Sequence, residues 1–258
     1  MTELALVTGA SSGIGRALAT YHAAQGGDVV LVARREDSLR SLADDLQAAH
    51  GITAHVMAAD LTRPGAVQDL VARLDQSGLE VGILINNAGF GGRGIHVERA
   101  LEDELEMIDL NVKALVSLSH AIGGRMARRG GGRILNVGST AGFMPGPQQA
   151  IYFATKAFVN SFSQALDHEL REDGVTSTVL VPGYVETEFA ERSDLTGTPL
   201  TKGGGMTAAE VAKIGHDAMM AGKLVAFDRT SLSLPIQWIF PFLPRRMVMS
   251  LMARMQSK

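Results

Sequence analysis

The chain has 258 residues, 46% of them hydrophobic and 20% charged, with a formal net charge of −3. That balance suits one large α/β domain with an ample core, argues against long disorder, and gives no reason to expect nucleic-acid binding. The lack of cysteine excludes disulfides, thiolate metal sites and cysteine nucleophiles. The seven histidines are scattered, and His50 and His55 do not have helical metal-pair spacing, so no metal site is expected.

Met1 leads directly into an apolar strand, Leu4 to Thr8, so no secretory leader and a cytoplasmic location are expected. The strand opens into Gly9-Ala10-Ser11-Ser12-Gly13-Ile14-Gly15, and a helical pattern then runs from Ile14 to Gln25. A glycine turn between a strand and a helix lets a pyrophosphate approach the backbone and meet the free N–H groups of the helix start. Asp28 to Ala33 forms the second strand. Where an acid would accept the ribose hydroxyls of NAD, Arg34 and Arg35 follow, which suits the 2′-phosphate of NADP(H). Arg16 could add a third cation.

Glu36 to Gln47 reads as a helix, Ile52 to Ala58 as a strand running to Asp60, and Pro64 to Gln76 as a helix with proline near its first turn. Val81 to Ile85 is the fourth strand and runs into Asn86-Asn87-Ala88-Gly89. Leu101 to Arg128 carries helical periodicity with Asn111 in its interior. Asparagine is a poor choice there, because it competes for backbone hydrogen bonds, so it is expected to pin local backbone or hold a water.

Arg133 to Val137 is a fifth strand with Ser139 at its carboxyl end, where open α/β sheets place their ligands. The helix from Gln149 to Arg171 follows and carries Tyr152 and Lys156 four apart, on one face. A hydroxyl, a phenol and an ammonium thus converge on one crevice. A phenol beside a fixed cation is expected to lose its proton more easily than an isolated one, which suits proton exchange with an alcohol oxygen.

Val175 to Val181 is the sixth strand and leads into Pro182-Gly183-Tyr184-Val185-Glu186-Thr187. Glu188 to Met206 has weak periodicity and reads as a mobile segment. Thr207 and Glu210 have capping-box spacing at the start of a helix that ends near Gly222, and Leu224 to Phe227 is a last strand. Alternating strands and helices predict an α/β doubly wound parallel sheet of about seven strands with helices on both faces, in a single domain.

Together these residues resemble the short-chain dehydrogenase/reductase family over roughly residues 4 to 230. The resemblance is carried by the Thr8–Gly15 turn, Asp60-Leu61, Asn86 to Gly89, Asn111, Ser139, Tyr152-x-x-x-Lys156 and Pro182-Gly183-x-x-x-Thr187. It implies a Rossmann-like domain over 1–230 and hydride transfer between NADP(H) and a carbonyl or secondary alcohol. In that reading Tyr152 exchanges the proton, and Ser139 hydrogen-bonds the substrate oxygen. Lys156 holds the nicotinamide ribose and depresses the Tyr152 pKa, while Asn111 binds a relay water. Asp60 and Leu61 contact adenine; Asn87, Ala88 and Gly89 wall the cofactor site; and Pro182, Gly183, Val185 and Thr187 border the nicotinamide.

Two other classes fit less of the sequence. Ser139 as an acyl-transfer nucleophile lacks a nearby histidine and a nucleophile elbow. A non-catalytic NADP(H)-binding sensor or scaffold would not need the whole tetrad. The substrate pocket is expected to draw on Phe90, Thr140, Phe143, Met144, Gln149, Tyr184 and residues 188–206, largely apolar and without an obvious cation, which points to a lipophilic substrate. Leu115, Val116, Leu118 and Ile122, with Phe158, Val159, Phe162 and Leu166, are apolar beyond what one sheet face needs, and predict a homodimer or homotetramer. Residues 231–258 form an aromatic and then Met-rich basic amphipathic extension of the same domain. It is expected to lid the pocket or join a partner subunit, with peripheral membrane contact the less common outcome.

Overall fold

A computed structural model describes residues 3–202, 204–229 and 233–257. Its main sheet contains β1 (Ala5–Thr8), β2 (Val29–Ala33), β3 (Ala54–Ala58), β4 (Ile83–Asn86), β5 (Gly132–Val137), β6 (Val175–Val181) and β9 (Val225–Phe227). The strand order is β3-β2-β1-β4-β5-β6-β9, and every pairing is parallel. Parallel strands need crossover helices, so both faces are covered and the strands read as continuous Val, Ile and Leu runs.

Successive strand residues point to opposite faces. Ala5 and Val7 join Leu18 and Ala19 of α1 (Gly13–Ala24), Leu39 and Leu42 of α2 (Glu36–His50), and Val211 of the helix Ala208–Met220. Leu6 instead joins Leu70 and Leu74 of α3 (Ala66–Gln76), Leu118 and Ile122 of the helix Leu115–Arg129, and Leu166 of the helix Ala150–Leu170. The order reverses between β1 and β4, so their carboxyl-end loops part there and open a crevice.

Several expectations shift. α3 begins at Ala66 rather than Pro64, because Gly65 at its N-cap takes φ 82 and turns the chain out of the helix. The long Leu101 to Arg128 helix is broken into α4 (Leu101–Ile108), a π-helical turn (Asp109–Ala114) and α5 (Leu115–Arg129). Beyond α6 (Ala150–Leu170), the segment of weak periodicity, Glu188 to Met206, runs between two paired strands, β7 (Val185–Glu186) and β8 (Met206–Thr207), and forms two short helices, α7 (Phe189–Arg192) and α8 (Pro199–Lys202). Its anchors Ala190, Ser193, Leu195 and Thr198 are buried, which the weak periodicity did not reveal. The predicted capping box is present at the start of α9 (Ala208–Met220), and a final helix, α10, spans Arg245–Gln256.

The apolar helix residues read as an intersubunit face are mostly core. Leu115, Leu118, Ile122, Val159 and Leu166 are buried within the one chain. Exposed apolar groups on this side are Phe158, stacked on Phe162 with ring centroids 5.6 Å apart, together with Leu101 and Leu105.

Candidate active site

A cleft of about 750 Å³ lies across the carboxyl ends of β1, β4, β5 and β6. One wall starts at the turn from β1 into α1. Gly9 (φ 67) and Gly13 (φ 54) occupy left-handed backbone that glycine tolerates, and α1 starts with no side-chain cap and no acid in its first turn. Its first N–H groups therefore remain available to an anion. Gly15 does not line the cleft; a Cβ there would stand 2.4 Å from Gly9 O, so it serves the close packing of the turn.

Thr8 ties this turn to the loop after β4. Its Oγ1 accepts from Asn87 N and Ala88 N, both at 3.0 Å, while Asn87 Nδ2 donates to Thr8 O at 2.9 Å. Asp60 and Leu61 line the same wall, and Asp60 Oδ1 accepts from Thr62 Oγ1 at 2.8 Å. Arg34 and Arg35 reach the cleft at its outer end. Arg34 lies 3.4 Å from Glu106, and Arg35 lies 3.2 Å from Ser11 Oγ and 3.4 Å from Glu188. Exposed pairs of this length contribute about 0–1 kcal/mol, so both guanidiniums can turn to a better acceptor. Arg16 is drawn away to Asp45 at 3.5 Å.

At the centre stand Ser139, Tyr152 and Lys156. Ser139 is held by Asn160, whose Nδ2 donates to Ser139 O at 2.9 Å, and its own Oγ accepts from Ala141 N at 3.1 Å. Lys156 Nζ donates to Val137 O at 2.7 Å and lies 5.9 Å from the centre of the Tyr152 ring. The expected easing of the Tyr152 proton is not what the surroundings produce. Burial pushes the phenol up to about 12, and a hydrogen bond with Ser139 opposes it only in part. Burial also pulls Lys156 down to about 8, which leaves it mostly charged at neutral pH. Desolvation is the largest influence on both groups.

Asn111 sits behind the cleft rather than on it. Its Oδ1 accepts from Phe90 N at 3.1 Å, and its Nδ2 donates to Phe90 O at 2.9 Å and to Thr155 Oγ1 at 3.1 Å. The carboxamide thus pins the backbone that follows Gly89. A Cβ on Gly89 would come within 2.9 Å of Asn111 Oδ1, so that approach requires glycine. Pro182, Gly183, Val185 and Thr187 line the floor, where Asp228 Oδ2 accepts from Gly183 N at 2.9 Å.

The opposite wall is built from Phe90, Met144, Gln149, Tyr184, Phe189, Leu195 and Leu200. Phe143, predicted here, packs instead on Phe227 at 5.7 Å between ring centroids. Contrary to expectation, two cations also reach the cleft. Arg192 is paired with Glu188 at 2.7 Å, and Arg229 faces the acids Asp228 and Glu210. Arg93 fastens this wall. It reaches Asp194 Oδ2 at 2.7 Å, Asp194 O at 2.9 Å and Gln148 Oε1 at 3.1 Å. Asp194 (φ 55) and Gln148 (φ 68) are the non-glycine residues with left-handed backbone among the described residues. Such backbone costs on the order of 1 kcal/mol or more and persists only when surroundings impose it.

The C-terminal tail closes the top. Ile236, Phe240, Leu251, Met252 and Met255 line the cleft, and Gln149 Nε2 donates to Gln256 Oε1 at 2.9 Å in a buried contact. Sequence reasoning missed Thr8, Asn160, Asp228 and Arg93. Asn160 was within reach of the reading that singled out Asn111, since it too is an asparagine inside a helix, one turn beyond Lys156.

Residues 3–196 match the family described as short chain dehydrogenase. The chain belongs to that family. It is 38% identical over 225 residues to a sulfoacetaldehyde reductase of Chromohalobacter salexigens, covering 86% of this chain and 84% of the relative. It is 34% identical over 187 residues to a 3-oxoacyl-acyl-carrier-protein reductase of Escherichia coli, covering 72% and 75%. Among solved structures, a short-chain dehydrogenase from Sphingobium yanoikuyae in complex with NADPH superposes with a TM-score of 0.84 at 35% identity, over 90% of both chains. A 7beta-hydroxysteroid dehydrogenase superposes with a TM-score of 0.87 at 26% identity, over 97% of this chain and 96% of the other. This member of the family is an oxidoreductase acting between CH–OH and C=O with a nicotinamide cofactor. The uncapped start of α1 and the glycines beside it suit the cofactor's phosphates.

Proposed function

We propose that this chain is an NADP(H)-dependent reductase of lipophilic ketones or aldehydes, and of their alcohols in reverse. The observation that carries the substrate class is the apolar roof over Tyr152, in which Phe189 from α7 (ring centroids 5.3 Å apart) meets Ile236, Phe240, Met252 and Met255 from the tail. The sulfonate of sulfoacetaldehyde, the substrate named for a relative, would have to draw Arg192 or Arg229 from the acids they face and would gain nothing from the apolar roof. Arg34 and Arg35, with no acid at the end of β2, support NADP(H) over NAD(H).

In this reading the bound nicotinamide supplies the hydride. The Ser139 and Tyr152 hydroxyls hold the substrate oxygen, and Tyr152 gives it a proton as negative charge develops there. A phenol raised to about 12 is protonated at neutral pH and can donate to the substrate oxygen in the reducing direction. Lys156, fixed on Val137 O, lies within reach of the ribose side of the cleft. Because the Asn111 carboxamide is committed to Phe90 and Thr155, a relay water beside it would use its main-chain carbonyl. Asp60, Leu61, Asn87, Ala88, Gly89, Pro182, Gly183, Val185 and Thr187 contact the cofactor.

The oligomer expected of this chain would use Leu101, Leu105 and the Phe158–Phe162 stack rather than the buried residues first singled out. NADPH oxidation followed at 340 nm roughly across a panel from sulfoacetaldehyde to bulky steroid and aryl ketones tests the substrate class. Higher kcat/KM for the bulky apolar members is expected. Preference for the sulfonate, or no turnover of any carbonyl despite NADPH binding, would remove it.

A further inference from the structure

The tail has two faces, and only the inner one is explained by the cleft. On α10, Val248, Met252 and Gln256 are buried, one turn apart, against the cleft and Gln149. The outward strip of the same helix interleaves Arg246, Met247, Ser250 and Arg254. Just before it, Trp238 is 69% exposed and Phe242 81% exposed, with Leu234 and Ile239 also more than half exposed. Solitary surface apolar groups need no explanation, but a run of large ones with aromatic members marks a docking surface.

Charge selects the occupant. Residues 233–257 contain Arg245, Arg246 and Arg254 and no Asp or Glu, on a chain whose net charge is −3. A second copy seated symmetrically on this face would bring the same tail, adding arginines and no acid to neutralise them. A surface of anionic lipid offers phosphates to those arginines and an interface for Trp238 and Phe242. No helix among the described residues is long and apolar enough to cross a bilayer, so the contact is peripheral.

We infer that the outer face of the tail, centred on Trp238, Phe242, Arg245 and Arg246, docks this protein on anionic membranes, with the cleft's roof lying against the lipid. The inference rests on this face and not on the substrate's identity. It would give a lipophilic substrate a route from the bilayer to the cleft through a roof whose lining is itself apolar.

Trp238 is the chain's one tryptophan, so its fluorescence reports on this face alone. The whole protein would be mixed with vesicles of phosphatidylcholine alone or with phosphatidylglycerol, and both co-sedimentation and tryptophan emission followed. Binding and a blue shift are expected with phosphatidylglycerol only, weakening as salt rises. Arg245→Glu with Arg246→Glu should reduce vesicle affinity by at least about tenfold. Phe242→Ser should reduce it while Trp238 stays as the probe. These residues do not line the cleft, so NADPH affinity should be unchanged and would confirm that the variants fold. The inference is overturned if wild-type protein neither sediments nor shifts its emission. It is equally overturned if light scattering without vesicles shows an oligomer that Phe242→Ser dissociates, because the face would then be a subunit interface.

Discussion

On the cofactor wall, side chains grip the main chain: Thr8 Oγ1 accepts from Asn87 N and Ala88 N, and the Asn111 carboxamide bonds both backbone groups of Phe90. On the substrate wall they chiefly grip one another: Arg93 reaches the side chains of Asp194 and Gln148, and Gln149 that of Gln256. A grip on main chain depends on one side chain and holds whatever residue stands opposite, whereas a side-chain pair fails when either member changes. The cofactor frame thus tolerates substitution at more positions than the substrate wall does.

Four measurements bear on the two walls and the groups between them. The largest effect is expected at the seam. Tyr152→Phe should lower kcat by about 10²–10⁴-fold and leave the NADPH Kd nearly unchanged, as read by stopped-flow turnover and fluorescence titration. A loss below about tenfold would assign the proton to another residue.

Second, the core has a weak point at the end of α1 away from the cleft. His22 is fully buried; its Nε2 lies 3.0 Å from Glu3 O and its Nδ1 3.1 Å from His216 Nε2. A carbonyl only accepts, so Nε2 of His22 carries the proton, and its bare Nδ1 accepts from His216. Burial lowers both pKa values, His216 from 6.5 to about 4. The unfolded chain therefore binds more protons below pH 6.5, and stability is lost as pH falls from there towards 4. For His216 the loss amounts to about 3 kcal/mol at most. Thermal melts between these pH values should show it, and His216→Phe should flatten the slope even if it lowers Tm throughout. An unchanged slope would show that the pair is already protonated without harm.

Third, replacing Arg34 and Arg35 together by alanine should weaken NADPH by about tenfold or more, given about 1.5–3 kcal/mol per charged hydrogen bond, and affect NADH little. Equal wild-type affinity for both cofactors would remove the basis of the preference.

Fourth and smallest, Arg93→Ala should raise KM by a few-fold, roughly 1 kcal/mol, with the NADPH Kd intact. Asp194→Asn, which keeps an acceptor for Arg93 and tolerates left-handed backbone, should keep the KM. If Arg93→Ala moved NADPH affinity instead, the two walls would not be independent.

The sheet and the cofactor wall were legible because they depend on local signals: strand periodicity, a glycine turn leading into a helix, Arg34-Arg35 in place of an acid. Tyr152 and Lys156 were legible as a pair because helical spacing places them on one face. Their electrostatics were not, since the pKa shifts come from burial by residues distant in sequence, such as Phe189 packed on the Tyr152 ring. Arg93, Asp194 and Gln148 were invisible for a related reason. Left-handed backbone at a non-glycine residue leaves no mark in the sequence, and its clamp lies 101 residues from Asp194. Leu118 and Ile122 are buried within the chain, which the sequence did not reveal because they look alike whether they meet the sheet or a partner.

The π turn at Asp109–Ala114 shows regularity and usefulness to be at odds. It winds one residue more into its turn than an α-helix does. Removing Val112 would let Leu101 to Arg129 run as one uniform helix with better hydrogen bonds. The flanking helices would stay nearly in register, because five residues at about 100° each sweep much the same angle as six in the wider turn. Glu104 and Met107 could therefore stay buried. What would be rebuilt is the turn itself, where Asn111 bonds both backbone groups of Phe90 beside the cleft. Shortening this stretch by one residue is a change that secondary-structure preference would welcome and turnover would not tolerate.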